Sequence, residues 1–432
     1  MNRSETSDKC VLVYDNGLFL PLALKLSESF GRTLYYSPWE NSYPVLNDCV
    51  IGDGFENVER VDDIFEHLDE FDLVVFPDVR NSGLQKHLES IGKRVWGSRE
   101  CDDLELKRML LKKKQEQMAL NVPKYKSIIG LDELRAFLKD HEDLFIKISQ
   151  YRGVMETFHH LDYAHSQPIL DHLSVLLGPL QNEFPFLVEW PIPDALELGF
   201  DGYSVDGNFP SIAIQGWEKK DKGLIASVQK YEDLPKQVLE VNEAFSLLLE
   251  KHKYRNFFST EIRVRDDEGY LIDLTCRAGC PSIESQLQLW KNLSEIIWHG
   301  AVGEMVDPEP AGKFAVECMI SHQDDKSRWR LLEVPDEIED NIKPYYCCRL
   351  SDGLLAFPPL AFSSETVGSI VCIGDTLESA IDELKEKAQL LEGQPINVQI
   401  DSIYDMLKTI HQAEEQGIEF SSQETPEPEI AL

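Results

Sequence analysis

Residues 257–284 read FFSTEIRVRDDEGYLIDLTCRAGCPSIE, and the fold turns on how this stretch pairs with itself. Two alternating runs, FFSTEIRVR and YLIDLTCR, flank the turn signal DDEG, a pattern that predicts an antiparallel hairpin. Period two sets Glu261, Arg263 and Arg265 on one face of the first strand, and Asp273, Thr275 and Arg277 on one face of the second. Folding about Asp267–Glu268 brings Glu261 opposite Asp273–Thr275 or one residue diagonal to it. Opposite Cβ atoms lie about 5 Å apart and diagonal ones about 7–8 Å. Two carboxylates at that distance repel unless a cation or a proton lies between them. Two readings follow: a solvated hairpin laced by cross-strand ion pairs, or an Mg²⁺–phosphate site with an arginine beside each carboxylate.

Composition narrows the classes. A chain of 432 residues with 42% hydrophobic content folds into several globular domains. No apolar run approaches the roughly 20 residues that span a bilayer. The start, MNRSETSDKC, has no apolar signal core, so a cytoplasmic location and no membrane contact are expected. Nine cysteines without metal-type spacing read as reduced thiols. A net charge of −35 argues against binding nucleic-acid backbones, so any polyanionic ligand needs a local pocket of cations and metal.

Upstream of the hairpin, CVLVY, TLYYS, FDLVVFPD and KRVWG are apolar runs separated by helical patterns, which predicts a parallel α/β domain over 1–98. Asp15, Asn16, Asp78 and Arg80 fall at strand ends, where ligands bind in open parallel sheets, although turn roles suit them better. A second unit spans 99–311. It opens on one basic helix, DLELKRMLLKKKQEQMALN, and continues to the strand EDLFIKIS, in which Lys147 interrupts an apolar run. A buried lysine needs an anionic partner. The loop after it carries Arg152 and Gly153, and His159 and His160 beyond it read as surface residues. FLVEW ends near Glu189; Glu197 precedes the next strand, and QGWEKKDKG is a charge cluster. After the hairpin, LQLWKNLSEIIWHGAVGEM reads as one buried helix. Residues 312–411 read as an α+β domain with Thr376 as a helix N-cap. Residues 412–432 read as a disordered acidic tail, since the last twenty residues hold six glutamates and no lysine or arginine.

In this order, the motifs resemble the ATP-grasp carboxylate–amine ligases, and most closely the phosphoribosylamine–glycine ligases, including divergent forms found on bacteriophage genomes. The resemblance covers about residues 10–400 and includes VGSIVCIGDTLESAIDELKEKAQ, similar to the family's closing segment. It implies an ATP-grasp fold, α/β and α+β in class, with an N-terminal parallel α/β domain before it and a C-terminal α+β domain after it. It also implies ATP and one or two Mg²⁺ ions, small-molecule carboxylate and amine substrates, and a homodimer. The amine expected is that of a sugar phosphate or nucleotide.

Position by position, the resemblance makes Lys147 the lysine on the α- and β-phosphates; the earlier ATP lysine would fall on Leu110, flanked by Lys107 and Lys114, of which Lys107 in LELKR is the better match. Glu189 falls at the adenine hinge and Glu197 near the ribose. SQYRGVMET stands for the glycine-rich flap, with Arg152 in place of glycine amides. Lys220, in EKKD, falls near the transferred phosphate, and Arg263 stands beside the metal site. Glu261 and Asp273, twelve residues apart, match the metal-binding acids. Thr275 replaces a metal-binding asparagine, and Arg277 would bind the acyl phosphate or γ-phosphate. A non-catalytic ATP-binding regulatory protein is the alternative that the single glycine of the flap and Thr275 leave open.

Overall fold

The computed structural model describes residues 5–38, 46, 49–150, 156–325, 327–359, 365–421 and 425–428. The first domain is a five-stranded parallel sheet: β1 (Cys10–Tyr14), β2 (Arg32–Tyr36), β3 (Val58–Val61), β4 (Leu73–Val75) and β5 (Arg94–Trp96), in the order β3-β2-β1-β4-β5. Helices Leu20–Ser27 and Ser82–Ser90 form two of its crossovers. β1 is apolar throughout because both faces are covered: Val11 and Val13 enter the main core, and Cys10 and Leu12 a second one. VERV, too short and polar to announce itself, supplies the edge strand β3.

The basic stretch after β5 is two helices, Asp102–Leu106 and Arg108–Gln117, broken at Lys107 (φ −105°, ψ 80°). The break corrects the single helix expected. Its physical reason lies in the anchors on either side: Glu105 is drawn to Arg277, and Arg108 to Asp273. A small antiparallel sheet follows, with strands β6 (Tyr125–Ile129), β7 (Leu144–Ile148), β8 (Thr157–His160) and β9 (Pro185–Glu189) in the order β6-β9-β7-β8. Helices Leu131–Leu138 and Tyr163–Leu177 cover its separate core.

The largest element is a nine-stranded antiparallel sheet. It contains β10 (Leu196–Val205), β11 (Ile212–Lys219), β12 (Gly223–Lys230), β13 (Arg255–Arg265), β14 (Glu268–Thr275) and β15 (Phe314–His322). Beyond the short β16 (Arg330–Leu332) come β17 (Ile342–Pro344), the short β18 (Cys348–Arg349) and β19 (Leu355–Phe357), then β20 (Thr366–Gly374) and β21 (Ile396–Val398). The order is β14-β13-β10-β11-β12-β15-β20-β17, with β21 on β15, while β16, β19 and β18 form a separate small sheet. The expected boundary at 312 therefore falls inside a continuous sheet, because β12 pairs with β15.

The helix expected after the hairpin is two, Ile283–Leu289 and Leu293–Gly300, separated at the buried Trp290. Helix Leu377–Gln389 starts on Thr376, whose hydroxyl accepts from Ser379 N–H at 3.1 Å, as expected. The tail expectation is corrected over its described part. Helix Ser402–Glu415 runs into it, and Phe420 is fully buried against Trp217 and Phe314, so one aromatic side chain orders a segment whose composition reads as disordered. Among the described residues, no helix is long and apolar enough to cross a membrane.

Candidate active site

The hairpin turns on Asp266 and Asp267, one residue earlier than expected; both have positive φ (51° and 67°), as a two-residue hairpin turn of the primed type requires. Glu261 lies directly opposite Asp273, and Ser259 opposite Thr275. A bulge between Glu261 and Ile262 keeps this register: Ile262 pairs with Leu271, leaving Ile272 unpaired. The Ile272 carbonyl accepts a hydrogen bond from Lys147 Nζ at 2.9 Å. The irregularity thus docks the small sheet on the large one.

Around this contact lies a buried charge network that local sequence does not display. Lys147 on β7 pairs with Glu189 at 3.0 Å and stands 3.7 Å from Asp273. Lys112 holds the other Glu189 oxygen at 2.5 Å, and Arg108 holds Asp273 at 2.6 Å. Burial alone would raise the Asp273 pKa, but Arg108 and Lys147 outweigh it and hold the carboxyl well below the usual range. Burial would likewise raise Glu189, and the two lysines keep it low. Lys112, only 1% exposed, is pushed down by burial. Arg108, Leu111, Lys112 and Gln115 form the buried stripe of their helix, at i, i+3, i+4 and i+7. That periodicity is the signal by which Arg108 and Lys112 were discoverable.

Lys107, the residue expected to reach ATP, is exposed and pairs with Asp103 at 2.7 Å. The helix break turns it outward and brings Lys112 inward. Lys220 sits exposed in the β11–β12 turn. His160 is buried and bonds Ser166 Oγ and the His141 carbonyl, correcting its reading as a surface residue; His159 is exposed beside Asp143. Arg152 and Gly153 lie outside the described residues.

Beside the network opens a cleft of about 350 Å³. Its floor is the period-two face of β10, β11, β13 and β14, carrying Glu197, Asp201, Glu218, Glu261, Asp273 and Thr275. Arg263 bonds Glu197 on the neighbouring strand and lies 3.8 Å from Glu261. Loss of surrounding water and the charge of Glu197 push the Glu261 pKa up to about 7. Arg277 bonds Glu105 at 2.9 Å, with Asp78 at 3.7 Å, and these anions outweigh burial in raising its pKa. Thr409 and Gln412 of helix Ser402–Glu415 complete the wall.

For Mg²⁺ the chain offers a pair of acids, Glu261 and Asp273, facing each other across one strand pair; among the described residues no group of three or more acids, histidines and cysteines gathers as a metal cage. Asp273 is already compensated by Arg108 and Lys147, whereas Glu261 has Arg263 at 3.8 Å.

No family model matches the chain, and no curated protein matches it. Solved structures do. Phosphoribosylamine–glycine ligase from Thermotoga maritima superposes with a TM-score of 0.63 at 16% identity, over 90% of this chain and 97% of that one. The biotin carboxylase domain of 2-oxoglutarate carboxylase from Hydrogenobacter thermophilus, a dimer solved with magnesium ADP and bicarbonate, gives 0.63 at 13% identity, over 95% and 96%. N5-carboxyaminoimidazole ribonucleotide synthetase from Thermus thermophilus gives 0.58 at 11%, over 89% and 99%. All three are ATP-grasp proteins, and the match spans nearly the whole of each chain. With its parallel lead-in sheet, its two facing antiparallel sheets and the charge network between them, this chain has the ATP-grasp fold.

Proposed function

We propose that this protein is an ATP-dependent carboxylate–amine ligase that forms an amide through an acyl phosphate, with an amino acid as the carboxylate. The observation that carries the reading is the direct pairing of Glu261 with Asp273 where Lys147 crosses from the opposite sheet. Phosphoryl transfer needs positioning and charge neutralisation more than a nucleophilic side chain. Lys112 and Lys147 hold the ATP phosphates, exchanging Glu189 for phosphate oxygens. Glu189 and Glu197 orient the nucleoside. Arg277, set rigidly by Glu105, faces the acyl phosphate. Glu261 and Asp273 would hold Mg²⁺ with the Thr275 hydroxyl beside them, and the ion would neutralise charge on the phosphates. The resemblance in domain order suggests a sugar-phosphate or nucleotide amine as acceptor.

A second reading has its own observation. Both Asp273 oxygens already face cations, Arg108 and Lys147, an arrangement that suits a nucleotide-binding regulatory protein without turnover. The test is ADP formation by the purified chain with Mg²⁺, ATP and panels of amino acids and amines. The ligase reading expects ADP that depends on both substrates and is abolished by Asp273→Asn. ATP binding without ADP from any pair selects the regulatory reading, and no ATP binding rejects both.

A further inference from the structure

The helix that walls the cleft bears on the acceptor of the ligase proposed above, and the inference drawn from it rests on that proposal. On helix Ser402–Glu415, Asp405, Thr409 and Gln412 fall at i, i+4 and i+7 and so share one face. Met406, Leu407, Ile410 and Ala413 form its buried stripe. Two anchors fix the helix over the cleft. Lys219, at the end of β11, pairs with Asp405 at 3.1 Å, and beyond the helix the Gln229 amide donates to the carbonyl of the buried Phe420. Thr409 and Gln412 are the two residues that the helix gives to the cleft.

Their hydrogen-bonding states are complementary. The Thr409 hydroxyl donates to the Asp405 carbonyl of its own helix at 3.0 Å, which leaves only its lone pairs for a ligand. Gln412 is exposed, and its side-chain amide bonds nothing among the described residues, so it offers two donors and an acceptor. Neither residue is charged, whereas Glu197, Glu261, Asp273, Arg263 and Arg277 make the floor ionic. A ligand's ammonium or phosphate is held best by ions or a metal, and those belong to the floor. A free amide beside a hydroxyl that can only accept suits a group that carries no charge and both donates and accepts, which is a hydroxyl. Gly199 on β10 and Gly216 on β11 give the floor two positions without a side chain, which leaves room for a sugar ring.

We infer that Thr409 and Gln412 read the sugar hydroxyls of the acceptor and thereby set its specificity. One ring hydroxyl donates to Thr409 Oγ1 or Gln412 Oε1, and the same hydroxyl or its neighbour accepts from Gln412 Nε2. An acceptor without hydroxyls leaves both side chains without these bonds, and a site built to bond a hydroxyl rejects the analogue that lacks it for that reason. Neither side chain touches the acyl carbon or the phosphates of ATP, so both act on acceptor binding alone.

The test uses the full chain with Mg²⁺ and a non-hydrolysable ATP analogue, titrated calorimetrically with ribose 5-phosphate, glucosamine 6-phosphate and propyl phosphate, the last a phosphate without hydroxyls. The expected result is saturable binding of at least one sugar phosphate, at least about tenfold tighter than that of propyl phosphate. Gln412→Leu and Thr409→Val should each lower that preference by about three- to tenfold, the worth of one hydrogen bond. Thr409→Ser, which keeps the hydroxyl, should retain the preference, and all three variants should bind the ATP analogue as the native chain does. A preference lowered by both variants in a chain that forms no ADP with any amino acid and amine overturns the ligase and leaves the hydroxyl-reading wall standing. Propyl phosphate binding as tightly, neither sugar phosphate binding, or a preference that either variant leaves unmoved overturns the inference and leaves the ligase to be judged by ADP formation. Variants that weaken the ATP analogue and not the sugar phosphate also overturn it, because the wall would then read the nucleotide.

Discussion

At the scale of single residues, burial and partners together decide the state of each charge: Arg108 and Lys147 outweigh burial at Asp273, and burial prevails at Asp15. Asp15 shows the cost of burying one. Burial raises its pKa from 3.8 to about 6 despite three hydrogen bonds to the carboxylate. A carboxyl whose folded pKa exceeds its unfolded one binds protons more tightly when folded. Its contribution is therefore fully present below about pH 4 and is lost as the pH rises through about 6. Asp15→Asn cannot ionise, so urea unfolding should show the variant gaining on the native chain by about 3 kcal/mol between those limits. Equal pH slopes for the two proteins would mean that Asp15 titrates normally. The sequence revealed Asp15 as a strand-end acid; that its own loop amides would claim it depends on the backbone path after β1. Lys147 was legible because a lysine within an apolar strand needs an anion, whereas the only signal for Lys112 was the helical spacing it shares with Arg108, Leu111 and Gln115 in a run of basic residues.

At the scale of elements, alternation and packing divide the outcome. The hairpin β13–β14 follows from period two alone, and its turn moved by only one residue because two successive aspartates take positive φ there. Helix Ser402–Glu415 and the segment behind it behave otherwise. Composition marks the segment as disordered, yet Phe420 is wholly buried on Trp217 while its helix presents Thr409 and Gln412 to the cleft. Phe420→Ala should cost about 3–5 kcal/mol in unfolding free energy and speed amide exchange across that helix. A change within about 0.5 kcal/mol, the usual effect of a surface substitution, would mean that the segment does not pack there. No local pattern could announce this contact, since one phenylalanine among glutamates gains its energy only from a pocket formed by distant strands.

At the scale of the whole molecule, the candidate site exists only as an assembly of the parallel sheet, the small sheet, the large sheet and the C-terminal helix. Ligand that binds this assembly and not the unfolded chain must stabilise it. ATP with Mg²⁺ at about a hundred times its Kd should raise the unfolding free energy by about 2.7 kcal/mol, and Lys112→Met should abolish the rise. An unchanged unfolding midpoint in the native chain would remove the nucleotide site. What the sequence by itself determined is what repeats locally: the parallel α/β lead-in, the alternating strands, the acid pair of the hairpin and the N-cap at Thr376. Periodicity and turn chemistry act over a few residues, so a single pass along the chain reads them. Only the tertiary structure decided which cation meets which anion, with Lys112 and Lys147 on Glu189, Arg108 on Asp273, and Lys107 turned outward to Asp103. Coulomb energies depend on separation and burial in space, and neither is a property of position along the chain.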